Sequence, residues 1–131
     1  MAGIFVGDVR KHHREDVVFQ DVPQRHVLFM YSGVVGFVFG AGNSDIRTET
    51  LHFDVPDSSF TEGQINAPDG IVAMVAPTNF NSNGNPFVLA VTNPEVRFSA
   101  TGAGLTLSAD ISAANGTLFE VAYQFSVNAV L

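Results

Sequence analysis

The side chains of this chain that could do chemistry are four histidines, thirteen carboxylates and a run of asparagines. His12 and His13 are adjacent, so in an extended segment their rings point to opposite faces; His26 and His52 sit at strand-like positions beside Arg25 and Phe53. A zinc site needs three or four ligands converging at about 2 Å, and no spacing here matches a ligand pair. The carboxylates pair up as Glu15 with Asp16, Asp54 with Asp57, and Asp110 with Glu120. Glycosidases use such pairs, but a chain of net charge −7 produces pairs by chance, and only a cleft gives them meaning. There is no cysteine and no Gly-x-Ser-x-Gly elbow. These residues predict no catalytic group, no metal and no cofactor: the chain is not expected to be an enzyme.

The amides offer a different chemistry. Between Pro77 and Pro86 lie Asn79, Phe80, Asn81, Asn83 and Asn85, and Pro56 to Gly70 holds Asp57 and Phe60. Amides donate and accept hydrogen bonds, which suits sugar hydroxyls, and a phenyl ring stacks on a sugar's apolar face. Asn79, Phe80, Asn81, Asn83, Asp57 and Phe60 are therefore the candidate contacts to a cell-surface glycan. The plainer account is that loops are polar because they are wet, and asparagine tolerates turns. The absence of Trp, the best sugar-stacking side chain, favours the plainer account.

Charge is uneven. Residues 1–48 carry five basic and five acidic side chains, whereas 49–131 carry eight acids and only Arg97. An acidic body disfavours nucleic acid and anionic membrane, which need a basic surface to displace counterions. The basic residues concentrate in Arg10-Lys11-His12-His13-Arg14, read as a polar loop or arm that touches a neighbouring protein. Met1 to Gly7 lacks the charged-then-apolar pattern of a secretory signal. No apolar stretch approaches the roughly 20 residues of a spanning helix.

The elements that position these groups are strands. Leu105, Leu107, Ala109 and Ile111 alternate with polar residues, as do Phe119, Val121, Tyr123, Phe125, Val127 and Ala129. A period of two marks half-buried strands. Parity predicts a hairpin with a three-residue Ala114-Asn115-Gly116 loop, Gly116 left-handed and Ile111 opposite Phe119. That register sets Asp110 against Glu120, either solvated or holding a cation. Upstream, Ile4 to Val9, then Val17 to Val22, read as strands. His26 to Tyr31 and Val34 to Phe39 read as a hairpin about Ser32-Gly33. Strands at Ile46 to Val55, Ile71 to Ala76, Phe87 to Thr92 and Val96 to Ala100 follow, with Leu51, Phe53 and Val55 inward. No helical period of 3.6 extends over a useful length. The expected fold is a single all-β domain over 1–131, an antiparallel β-sandwich or flattened barrel of about nine to ten short strands. Residues 1–45 supply the N-terminal strands, arm and apolar hairpin, and 46–131 the main sandwich.

Val27, Phe29 and Tyr31 face one way while Leu28 and Met30 face the other, so this segment is apolar on both sides. Such a strand must be covered on both sides, by the N-terminal segment or by another subunit. Leu28 and Met30 thus join Arg10, Lys11, His12, His13 and Arg14 as the candidate subunit or particle interface.

From Thr48 onward the chain resembles the small β-sandwiches of H-type lectins and trimeric phage tail-fibre tips. The similar elements are Leu51-His52-Phe53-Asp54-Val55-Pro56, the strand Ile71 to Ala76, and Phe119-Glu120-Val121-Ala122-Tyr123-Gln124-Phe125. The lectins' sugar-contacting residues have no clear counterpart in this sequence. The same features also look like capsid decoration proteins, often small, cysteine-free, acidic and trimeric. Either resemblance implies a structural or adhesion protein of a virion, in its capsid, tail fibre or baseplate, assembling as a homotrimer beside other virion proteins. It would reside in the virion, or in the cytoplasm before assembly.

Overall fold

The computed structural model describes residues 3–20, 25–56, 64, 71–82, 86–98 and 104–130. They form eight strands: β1 (Gly3–Val6), β2 (Asp8–Gln20), β3 (Arg25–Ala41), β4 (Arg47–Pro56), β5 (Ile71–Ser82), β6 (Val88–Phe98), β7 (Gly104–Ala114) and β8 (Gly116–Val130). The first sheet has the order β1-β4-β7-β6 and the second β2-β3-β8-β5. The fold is all-β, as expected, in two open four-stranded sheets. It is not a barrel, and among the described residues there are eight strands where nine to ten are expected, several of them running long.

A simple construction underlies the topology. In the second sheet β8 pairs with β3 (Val27 with Ala129, Ala41 with Gly116). Beyond the corner the same ribbon continues in the first sheet, where β7 pairs with β4 (Arg47 with Ala113, Pro56 with Gly104). On the other side β5 pairs with β8 and β6 with β7. β3 and β4, and β7 and β8, are thus folded over at one end with β5 and β6 alongside, so the apolar faces of the two sheets stack on each other. Asn115 ties the corners together. Its N–H donates to the Asn43 carbonyl at 2.8 Å, and its side-chain amide donates to the Pro86 carbonyl at 2.8 Å.

This arrangement corrects the predicted terminal hairpin. β7 and β8 lie in different sheets and face one another across the core, so Ile111 pairs with Glu49 and Val91 instead of Phe119. Alternation says which face of a strand is buried, not whether the partner lies beside it or across from it. Asp110 and Glu120 consequently never meet: Asp110 pairs with Thr50 and Thr92, and Glu120 with Gly36 and Asn79. The left-handed residue is Asn115, at φ 49°, not Gly116.

Other expected turns are strand interior. Ser32-Gly33 lies within the 17-residue β3. Arg10 to Asp16 is part of β2, with a bulge between Val9 and Lys11 where a loop was expected. Asn93-Pro94 does not separate two strands; it forms a bulge inside β6, with Asn93 at φ 52°. β5 runs on to Ser82, so Asn79 to Ser82 belong to a strand and not to a loop. β1 pairs parallel with β4, an exception in an otherwise antiparallel molecule.

The core contains the expected inward faces. Val27, Phe29 and Tyr31 of β3, Leu51, Phe53 and Val55 of β4, Leu105, Leu107 and Ile111 of β7, and Val121 to Ala129 at odd positions of β8 are all buried. Phe119 is the exception. The ladder shifts between Gly36 and Phe39 opposite this stretch of β8, and Leu118 is buried while Phe119 stays half-exposed. Tyr31 stacks on Phe125 with centroids 4.5 Å apart, and Phe53 meets Tyr123 at 5.0 Å. Each such side chain contributes about 1.5–3 kcal/mol on burial, so this aromatic layer is a major term in holding the sheets together.

Candidate functional site

The outer face of the second sheet carries a trough of about 690 Å³ that crosses all four strands. Register explains its composition. His13, Ser32, Gln124 and Met74 form one transverse row, and Lys11, Val34, Ala122 and Ala76 the next. Small side chains at Ser32, Ala122 and Ala76 make the floor, while Lys11, His13 and Met74 rise at its sides. A second hollow of about 230 Å³ continues it past Leu28, Met30, Val72 and Met74. Val72 is 60% exposed and Met74 66%.

The strand edge above the trough is charged but largely compensated. Arg10 lies 3.5 Å from Glu120, which also accepts from Thr78 at 3.1 Å. Arg10 gets there by lying across Gly36, where a Cβ would overlap its guanidinium. His13 Nε2 lies 3.3 Å from Glu15, and Arg14 pairs with Asp16 at 3.0 Å. Lys11 has no ion-pair partner among the described residues. Ser32 stands cross-strand from His13, so serine, imidazole and carboxylate share one face. His13 and Glu15 are each 68% exposed, and no bond links Ser32 to the imidazole among the described residues. A nucleophile needs a hydrogen-bonded base held by a shielded third group.

The structure divides the expected interface residues. Lys11, His13, Leu28 and Met30 reach the outer face, joined by Arg10. His12 and Arg14 point the other way, as adjacent residues of a strand must. His12 Nδ1 lies 2.5 Å from the Tyr123 hydroxyl, and its ring stacks near Tyr31 at 5.7 Å. The Arg14 guanidinium sits 5.5 Å from the centre of the Phe29 ring. Tyr123 reaches His12 by passing over Gly33, where any Cβ would collide with the phenol and with the Lys11 carbonyl. Burial pushes the Tyr123 phenol up to about 12.

Of the expected glycan contacts, Asn79, Phe80 and Asn81 lie on β5; Asn83, Asp57 and Phe60 fall outside the described residues. Phe80 and Phe87 are 51% and 45% exposed, with centroids 6.4 Å apart and planes 28° from parallel. The sequence reading missed Val34, Val72, Met74, Ala76, Ala122 and Gln124. For Val72 and Met74 the signal existed: Ile71-Val72-Ala73-Met74-Val75 is apolar on both faces, like Val27 to Tyr31.

Among the described residues no three His, Asp or Glu side chains converge as metal ligands. None of them forms a helix long and apolar enough to cross a membrane. The chain matches no protein-family model, no curated protein and no solved structure.

Proposed function

We propose that this chain is a non-enzymatic structural or adhesion module of a virion that assembles with copies of itself through the outer face of the second sheet. The observation that carries the reading is the apolar cluster there: Val72 and Met74 exposed beside half-buried Leu28 and Met30. Contiguous apolar surface of this kind marks an interface. The virion setting and the threefold order rest on the resemblance to phage tail-fibre tips and decoration proteins. Light scattering tests assembly: an oligomer is expected at micromolar concentration, dissociating in Leu28→Asp/Met30→Asp. A stable wild-type monomer overturns the reading.

A second reading has its own observation. The exposed, stacked Phe80–Phe87 ring pair, on the strand that also carries Asn79 and Asn81, fits a glycan platform. Asn79→Ala with Phe80→Ala is expected to abolish binding on a glycan array, and a wild-type blank on a broad array disposes of it.

A further inference from the structure

The sandwich has four edge strands, β1, β6, β2 and β5. An exposed edge offers unpaired N–H and C=O groups to another chain, and proteins blunt it with shortness, charge, proline or bulges. Three edges are blunted this way. β1 has only four residues. β2 carries Asp8, Arg10, Lys11, Arg14, Glu15 and Asp16 and a bulge. β6 carries Pro94, the Asn93 bulge and the Glu95–Arg97 ion pair.

The fourth differs. Ile71-Val72-Ala73-Met74-Val75-Ala76 has no charge, no proline and no register shift, and no described residue pairs with its outer side. Guarding begins only at Pro77, after which the ladder shifts twice. This bare edge is continuous with the apolar outer face through Val72 and Met74. The segment itself carries no charge, and on β8 beside it Glu120 is paired with Arg10.

We infer that Ile71–Ala76 of β5 is a two-fold joint that pairs antiparallel with the same segment of a second copy, merging two four-stranded sheets into one continuous sheet. Directly opposed residues of an antiparallel pair share a face, so the axis passes through a residue. Centred on Met74, it sets Met74 against Met74 and Val72 against Ala76, and Pro77 opposite Ile71 ends the ladder. The joint uses the same patch on both copies and therefore closes. It rests on the self-assembly reading and gives it an even order: a dimer, or a hexamer if a threefold contact also forms.

The chain has no cysteine, so one introduced thiol reports alone. Met74→Cys is expected to form a disulfide-linked dimer under mild oxidation, whereas Thr48→Cys, on the first sheet, remains uncrosslinked. Val72→Lys/Ala76→Lys is expected to weaken association at least tenfold while circular dichroism stays that of the wild type. An oligomer that neither cross-links at position 74 nor responds to the lysines, yet dissociates in Leu28→Asp/Met30→Asp, overturns the joint and leaves face-mediated assembly through Leu28 and Met30 standing. A wild-type monomer overturns both.

Discussion

The side-chain amide of Asn115 donates to the carbonyl of Pro86 across 2.8 Å, joining the crossing between β7 and β8 to the segment that leads into β6. With its N–H on Asn43 and its backbone left-handed, this residue ties the β3–β4 connection, the lead into β6 and the β7–β8 crossing together at one point.

Asn115→Gly keeps the left-handed backbone and deletes the amide, which is expected to cost about 1 kcal/mol, one net hydrogen bond. Asn115→Ala adds the left-handed penalty, roughly 1–2 kcal/mol more. Urea unfolding checks both: the midpoint should fall in the order Ala below Gly below wild type, with unchanged slope.

Gly33→Ala forces a methyl into the space of the Tyr123 phenol and the Lys11 carbonyl. Overpacking of this kind costs about 1–3 kcal/mol. Tyr123→Phe alone should cost only about 1 kcal/mol, because its partner His12 is exposed to water. The double variant is expected to regain little, since the ring and the Lys11 carbonyl stay in place. Full rescue in thermal melts would confine the collision to the hydroxyl and rule out the ring and the Lys11 carbonyl as obstacles, and an unchanged melt of Gly33→Ala would refute the collision.

Tyr123 titrates at about 12 in the folded chain against 10.0 for a free phenol, because burial disfavours the phenolate. Its folded value is raised, so its stabilising contribution is whole below pH 10 and drains away as pH climbs through about 12. Wild-type stability should fall across that window, with tyrosinate absorbance appearing late. Tyr123→Phe should lose this component of both signals.

Asp110 accepts from Asn93 at 3.0 Å and from Thr50 at 2.9 Å, and these bonds, Asn93's first, hold its carboxyl below the usual 3.8. A lowered value means that its contribution is present above pH 3.8 and lost as acid carries the pH through the folded value. Asn93→Gly keeps the left-handed backbone and removes the main donor. Carboxyl NMR titration should then show the Asp110 midpoint moving upward.

Reading the sequence located faces better than neighbours. Leu51, Phe53 and Val55, and Tyr123, Phe125 and Val127, turn inward as alternation demands. What alternation lacks is the third dimension: Leu107 and Tyr123 are apolar on facing sides whether their strands share a ladder or oppose across a core. Ser32-Gly33 imitates a turn, although Gly33 is bare to make room for a side chain 90 positions away. Asn93-Pro94 imitates a break, although a bulge absorbs it. At the candidate site, Leu28 and Met30 were legible from a strand apolar on both sides. Val72 and Met74 carry the same doubly apolar signal, but Ile71 to Ala76 reads equally well as a strand sealed in a core. His12 and Arg14 were grouped with Lys11 and His13 by sequence proximity, and one step along a strand sends them to opposite sides.

The fold-over also dictates when the molecule can come together. Phe29 and Tyr31 have β2 beside them at once, but their partners on β8, Val127 and Phe125, arrive only after roughly a hundred further residues have been made. Until then the apolar faces of β3 wait on the ribosome with β2 alone beside them, so synthesis is the period of greatest danger from clumping. Slow refolding from dilute denaturant, and better yield when a chaperone is present or temperature is lowered, are the marks this history should leave.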